Sequence, residues 1–188
     1  MNQPLPVASL TPSSNEYAYL YQSAILNIDK QSQLNEAIAR INKHQNIYKE
    51  AIEGTSIPWY AVGIIDEMEC GCSEFFHIHN GDPLTGRTYN IPKGRPEGGK
   101  PPFTKLESIK DWIALKKWNQ WRAWDINSVL FRFEANNGFG YRKYRINTPY
   151  LWAGSNLYTS GKFIIDGTFS KAAVSKQIGA ALLLKSLI

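Results

Sequence analysis

Ile57-Pro58-Trp59-Tyr60-Ala61-Val62-Gly63-Ile64-Ile65-Asp66-Glu67-Met68-Glu69 is the stretch on which the fold turns. Pro58 suits the first turn of a helix, where its missing N–H costs nothing. From Trp59 to Met68 the pattern is apolar almost all round, which marks a central helix. Its last turn abruptly carries Asp66, Glu67 and Glu69. Upstream, Tyr17, Leu20, Tyr21 and Ala24 recur at helical spacing from Asn15 to Ile28, and a second such run spans Gln33 to Glu53 and stops at Gly54. Downstream, Phe75 to His79 and Arg87 to Ile91 read as short strands around the turn-rich Asn80–Gly86. A proline- and glycine-rich loop covers Pro92 to Pro102. Helices are expected again over 106–117, 125–135, 150–158 and 170–187, with Asp125 and Ser170 as N-caps. This order of helices, a small antiparallel β-region and more helices is α+β and mainly α-helical.

The chain has 188 residues, enough for one domain with its own core. Residues 1–14, rich in proline and serine, read as a flexible arm, and 15–188 as a single domain. A net charge of +5 favours an anionic partner such as nucleic acid, an acidic membrane surface or a cell wall. Six Trp, ten Tyr and eight Phe exceed what a core requires and suit a cleft that stacks on sugars or bases. No apolar run reaches the ~20 residues of a membrane span. The N-terminus lacks a basic and an apolar segment, so no cleavable signal is expected and synthesis in the cytoplasm is. Cys70 and Cys72 are too closely spaced to suggest a disulfide framework.

Glu69 is the sharpest chemical feature. A carboxylic acid beside Ile64, Ile65 and Met68 has its charged form disfavoured, which suits a general acid. Asp82, in the turn between the expected strands, is the natural second carboxylate of a glycosidase pair. Glu67, on a different helix face, reads as solvated. Cys70, Cys72, His77 and His79 form a rival zinc-like set, but the cysteine spacing is wrong for one, so no metal and no cofactor are expected. His79 and Asn80 read instead as hydrogen-bonding residues that line a cleft or orient Asp82. Lys110, Lys116, Lys117 and Arg122 interleave with Trp112, Trp118, Trp121 and Trp124. That pattern fits buried tryptophans under a solvated basic face better than a nucleic-acid platform.

Two segments carry a family resemblance. Ile57-Pro58-Trp59-Tyr60 entering a helix that ends at Glu69, followed by His77-Ile78-His79-Asn80-Gly81-Asp82-Pro83-Leu84-Thr85, resembles bacterial and phage proteins of the lysozyme superfamily, which includes goose-type lysozymes and soluble lytic transglycosylases. Phe133-Glu134-Ala135-Asn136-Asn137-Gly138-Phe139-Gly140-Tyr141 is similar to the Ala-Tyr-Asn segment of those enzymes, with Asn136 where the Tyr stands and Asn137 on the cleft Asn. Cys70 replaces the Ser that usually follows the acid. The resemblance implies a lysozyme-like fold, Glu69 as catalytic acid, Asp82 as the carboxylate that positions water, and Asn137 in the sugar cleft. Thr85 and Tyr141, in the same motifs, join as substrate-binding candidates.

The expected function is therefore cleavage of the β-1,4 bond between N-acetylmuramic acid and N-acetylglucosamine in peptidoglycan, by a muramidase or lytic transglycosylase acting as a monomer. The expected setting is the cell wall, reached from the cytoplasm, with a phage- or particle-associated enzyme as one form of it. The alternatives are a chitinase- or chitosanase-like glycosidase of the same superfamily and a non-catalytic virion or wall-binding protein. No nucleic acid and no integral membrane segment enter this reading.

Overall fold

The computed structural model describes residues 4–165 and 167–188. It is mainly helical with one small antiparallel sheet. The helices are α1 (Glu16–Ser23), α2 (Gln31–Lys43), α3 (Gln45–Ala51), α4 (Trp59–Cys70), α5 (Lys105–Leu115), α6 (Ile126–Asn137), α7 (Pro149–Trp152) and α8 (Ala180–Leu187). The strands are β1 (Lys162–Ile165) and β2 (Thr168–Ser170). Contacts divide the chain into a central unit, Ala37–Trp124, and a terminal unit made of the residues up to Glu36 with Asp125–Ile188. Among the described residues no helix is long and apolar enough to cross a membrane.

The central unit is built on α4. Pro58 is its N-cap, and Ala61, Val62, Ile64 and Ile65 are fully buried. Gly63 permits the close packing: a β-carbon there would lie 2.8 Å from Ile41 and 3.0 Å from the Tyr48 ring. The helix ends because Gly71 takes a left-handed conformation (φ 62°), which turns the Gly71 and Cys72 amides back onto the carbonyls of Glu67 and Asp66. α5 starts on a reciprocal cap, in which the Thr104 side chain accepts from the Glu107 amide and Glu107 accepts from the Thr104 amide. Trp112 and Trp118 are buried and stack edge-on, so these rings serve the core.

The terminal unit packs α1 on α6, and α6 and α8 on α7. Asp125 caps α6 as expected, accepting from the Asn127 and Ser128 amides. Lys185 of α8 donates to the Tyr21 and Ala24 carbonyls at the end of α1, where a cation complements the helix dipole. Gly179 leads into α8 with a backbone that no other residue could replace in place, because a β-carbon would sit 2.2 Å from the Leu151 carbonyl oxygen. At the centre of this unit, Glu134 of α6 grips Arg142 through two hydrogen bonds, of 2.7 and 2.6 Å. Arg142 also donates to Glu16 Oε1, the Leu5 carbonyl and Tyr17 Oη, so all five guanidinium N–H groups are matched.

Several expected elements are placed differently. The β-structure lies at 162–170, not at 75–91, where only an isolated Phe76–Pro83 bridge forms. The 33–53 helix is broken at His44 into α2 and α3. The helix expected over 150–158 closes after one turn at Trp152, with Gly154 at φ 81° just beyond. Ser170 is not an N-cap but the last residue of β2, paired with Lys162, and α8 begins only at Ala180.

Candidate active site

Glu69 lies half-buried in the last turn of α4. The Asn80-Gly81-Asp82 turn rests against this helix end: a β-carbon on Gly81, itself at φ 77°, would be 3.5 Å from the Glu69 carbonyl oxygen. Lys116 acts on Glu69 electrostatically; burial lowers the pKa of its ammonium and the Glu69 charge partly restores it. Glu67 is turned elsewhere, in a two-bond ion pair with Arg40 (3.0 and 2.6 Å).

One turn back in α4, Asp66 is fully buried and was not singled out by the sequence reading. It accepts from Tyr48 Oη at 2.8 Å and pairs with Lys105. Lys105 Nζ donates also to Cys70 Sγ (3.2 Å) and to the Phe76 carbonyl (2.9 Å). One ammonium thus ties the end of α4 to the segment leading into the Asn80–Asp82 turn. Burial and the Asp66 charge push the Cys70 thiol up to about 12, so it stays protonated. The only sequence signal for this cluster was an aspartate inside an apolar helix.

Asp82 is buried, with both oxygens engaged. Oδ2 accepts from the Tyr89 and Asn90 amides and from Asn80 Nδ2, and Oδ1 from Asn90 Nδ2. Burial alone would raise its carboxyl, but these hydrogen bonds outweigh it and hold the pKa below the ordinary value. Asn80 closes the turn by accepting from the Asp82 amide. Thr85 is exposed.

His77 and His79 are internal. His77 Nε2 faces the Gly86 carbonyl and must donate to it, so Nδ1 accepts the Ser108 hydroxyl at 2.9 Å. His79 Nε2 meets Asp111 at 2.8 Å, and its Nδ1 meets Ser108 Oγ at 3.3 Å. Asp111 in turn pairs with Arg95 of the long loop. Both ring nitrogens of His77 and Nε2 of His79 are therefore committed to protein groups, and among the described residues no cluster fit to hold a metal occurs.

Burial pushes His79 down to about 4 despite the opposing pull of Asp111, with His77 and Arg95 adding to the downward shift. The folded state thus resists a proton that the unfolded chain takes up below the usual value of 6.5. Stability present at neutral pH should be lost as pH falls from about 6.5 toward about 4. The urea midpoint, followed between pH 7 and 4.5, should drop across that window; a flat profile would contradict the buried neutral state.

Asn137 and Tyr141 belong to the terminal unit, where they line one groove of about 510 Å³. Its other lining residues include Tyr150, Lys162, Phe163, Ser175 and Gln177. Gly138 (φ 91°) ends α6 and leaves Asn137 exposed at the rim. The Tyr141 ring stands edge-on to Phe163, and its hydroxyl accepts from the Phe163 amide. The candidates thus fall into two groups: Glu69 with the turn that carries Asn80 and Asp82, and Asn137 with Tyr141. Comparison of the chain with protein-family models, curated proteins and solved structures finds no match in any of the three.

Proposed function

We propose that this protein cleaves the β-1,4 glycosidic bond of peptidoglycan strands, with Glu69 as general acid. The observation that carries the reading is Glu69 itself: a half-buried glutamate on the last turn of a helix whose preceding turns are buried, with Gly81 of the Asn80–Asp82 turn close to its backbone carbonyl. The lysozyme-superfamily resemblance of both segments and the aromatic, amide-lined groove at Asn137 and Tyr141 support it.

Glu69 gives its proton to the glycosidic oxygen as the bond to the anomeric carbon breaks. The carbon is then captured by water, yielding a reducing end, or by the sugar's own C6 hydroxyl, yielding an anhydro end. The proton released in capture returns to the Glu69 carboxylate, which Lys116 steadies meanwhile. In this reading Asp82 is a loop-organising residue: four donors hold it, and it holds the turn beside Glu69.

Digestion of purified cell walls, followed by mass spectrometry of the soluble fragments, tests the function. Disaccharide-peptide fragments with reducing or anhydro muramic ends are expected. Intact walls after prolonged incubation, beside cleaved chitooligosaccharides, would transfer the reading to a chitinase-like enzyme. Wall binding with no cleavage of either would leave a wall-binding protein.

A further inference from the structure

The β1–β2 hairpin of the terminal unit turns apolar side chains outward. Phe163 and Phe169 pair across it and pack on the chain beneath: Phe163 meets Tyr141 edge-on, and Phe169 lies parallel to Tyr144 with 3.8 Å between ring centres. The pairing then slips between Phe163 and Ile165, as at a bulge, so the usual alternation of faces is broken. Two consecutive isoleucines stand outside as a result, Ile164 57% and Ile165 68% exposed. Val174 is 54% exposed, next to Ala173, whose carbonyl accepts from the Gly161 amide at the base of the hairpin. Cations share this neighbourhood. Lys162 pairs with Ser170, which Lys171 follows, and Lys143 lies over the Tyr144 and Phe163 rings. Lys143, Arg145 and Lys171 are exposed. From Gly138 to Ile188 the sequence holds seven lysines and arginines against one carboxylate, Asp166. Single exposed apolar side chains are ordinary, but two in succession on an anchored hairpin set among cations have the make-up of an interfacial anchor. A polyanion such as nucleic acid would take the cations and leave the isoleucines in water. A bilayer with anionic headgroups takes both: the cations meet phosphates, and the isoleucines enter the boundary between headgroups and acyl chains.

We propose that the β1–β2 hairpin is a peripheral docking site for an anionic lipid surface, with Ile164 and Ile165 inserting and Lys143, Arg145, Lys162 and Lys171 holding the headgroups. This goes beyond the glycan reading and does not depend on it, since Glu69 belongs to the central unit and the hairpin to the terminal one. Lysines on a short exposed hairpin also guard it against pairing with a second copy of the chain, which is therefore the occupant to test against.

The test is co-sedimentation of the protein with vesicles of phosphatidylcholine alone and of phosphatidylcholine with one-third phosphatidylglycerol. At ~0.1 M salt, where exposed charges are screened over ~10 Å, the anionic vesicles should be bound at least ~10-fold more tightly than the neutral ones. Ile164→Ser combined with Ile165→Ser should weaken that binding ~10-fold, whereas Ile164→Leu combined with Ile165→Leu should keep it. Lys143→Gln combined with Lys171→Gln should weaken it ~5-fold for each charge removed and flatten its dependence on salt. All four side chains are exposed, so the melting temperature of each variant should match that of the parent. No binding, equal binding of neutral and anionic vesicles, or anionic-vesicle binding indifferent to the serine pair overturns the proposal. A duplex DNA fragment titrated alongside identifies the last case, in which it binds as tightly as the vesicles and the surface is a general polyanion site. Sedimentation of the protein alone examines the second-copy occupant: self-association that the serine pair abolishes, without vesicle binding, overturns the lipid reading in favour of a dimer.

Discussion

Glu69→Gln should reduce wall cleavage by ~10²–10⁴-fold while the melting temperature stays within a degree or two of the parent, the loss being that of a general acid with no proton to give. The substitution keeps the shape of the side chain and leaves the backbone carbonyl that Gly81 approaches. The helix end is secured by Gly71 and by Lys105, neither of which depends on the Glu69 carboxyl. Glu67→Gln is the matched control. It weakens a pair between the exposed Arg40 and a Glu67 side chain that keeps 11% of its exposure, and it should leave cleavage largely intact because Glu67 faces Arg40 rather than the Asn80–Asp82 turn. Turnover of Glu69→Gln within tenfold of the parent would remove Glu69 from the chemistry.

The largest loss of stability is expected from Glu134→Ala. Arg142 would keep a buried guanidinium with two of its N–H groups unmatched, and Tyr17 Oη would lose the oxygen to which it donates. Burial pushes the Glu134 carboxyl up while Arg142 pulls it down, so the pair is mutually dependent. Removing one partner of such a pair typically costs ~3–5 kcal/mol. Urea denaturation should show a lower midpoint at similar slope; a shift worth less than ~1 kcal/mol would mean that water replaces the carboxylate. Far less should follow from Lys143→Ala, whose ammonium lies over the Tyr144 and Phe163 rings, 4.9 and 5.9 Å from their centres.

α4 was legible because its signals agree: proline before it, an unbroken apolar run, and glycine after it. Asp125 was legible for the same reason, since a short acceptor precedes a periodic run. The sheet was missed although Asp166-Gly167 stands between Lys162-Phe163-Ile164-Ile165 and Thr168-Phe169-Ser170, a standard hairpin signature. The rival signal, a helix cap at Ser170, fails because the apolar run that could follow it begins nine residues later, at Gly179. Alternation misled at Phe75–His79. There His77 and His79 are buried by hydrogen bonds to Ser108 and Asp111, partners about thirty residues away that no local pattern reveals. Glu69 and Asn137 are placed as candidates by motif, whereas the buried Asp66–Lys105 pair is not, because its two partners come from helices far apart in the chain.

The segment from Gly71 to Thr104 contains no helix and no strand, yet many of its amides are hydrogen-bonded. His77 donates to the Asp82 carbonyl, Leu84 to Phe75, Thr88 to Arg95, Gly94 to Thr88 and Phe103 to Leu84, while Tyr89 and Asn90 donate to the Asp82 side chain. Circular dichroism will count this stretch as coil. Deuterium exchange will not, because a bonded and sheltered amide exchanges slowly whatever its backbone class. The two spectroscopies should therefore disagree about how much of the chain is ordered, and the disagreement is a direct measure of a region whose rigidity comes from a buried carboxylate and a web of turns.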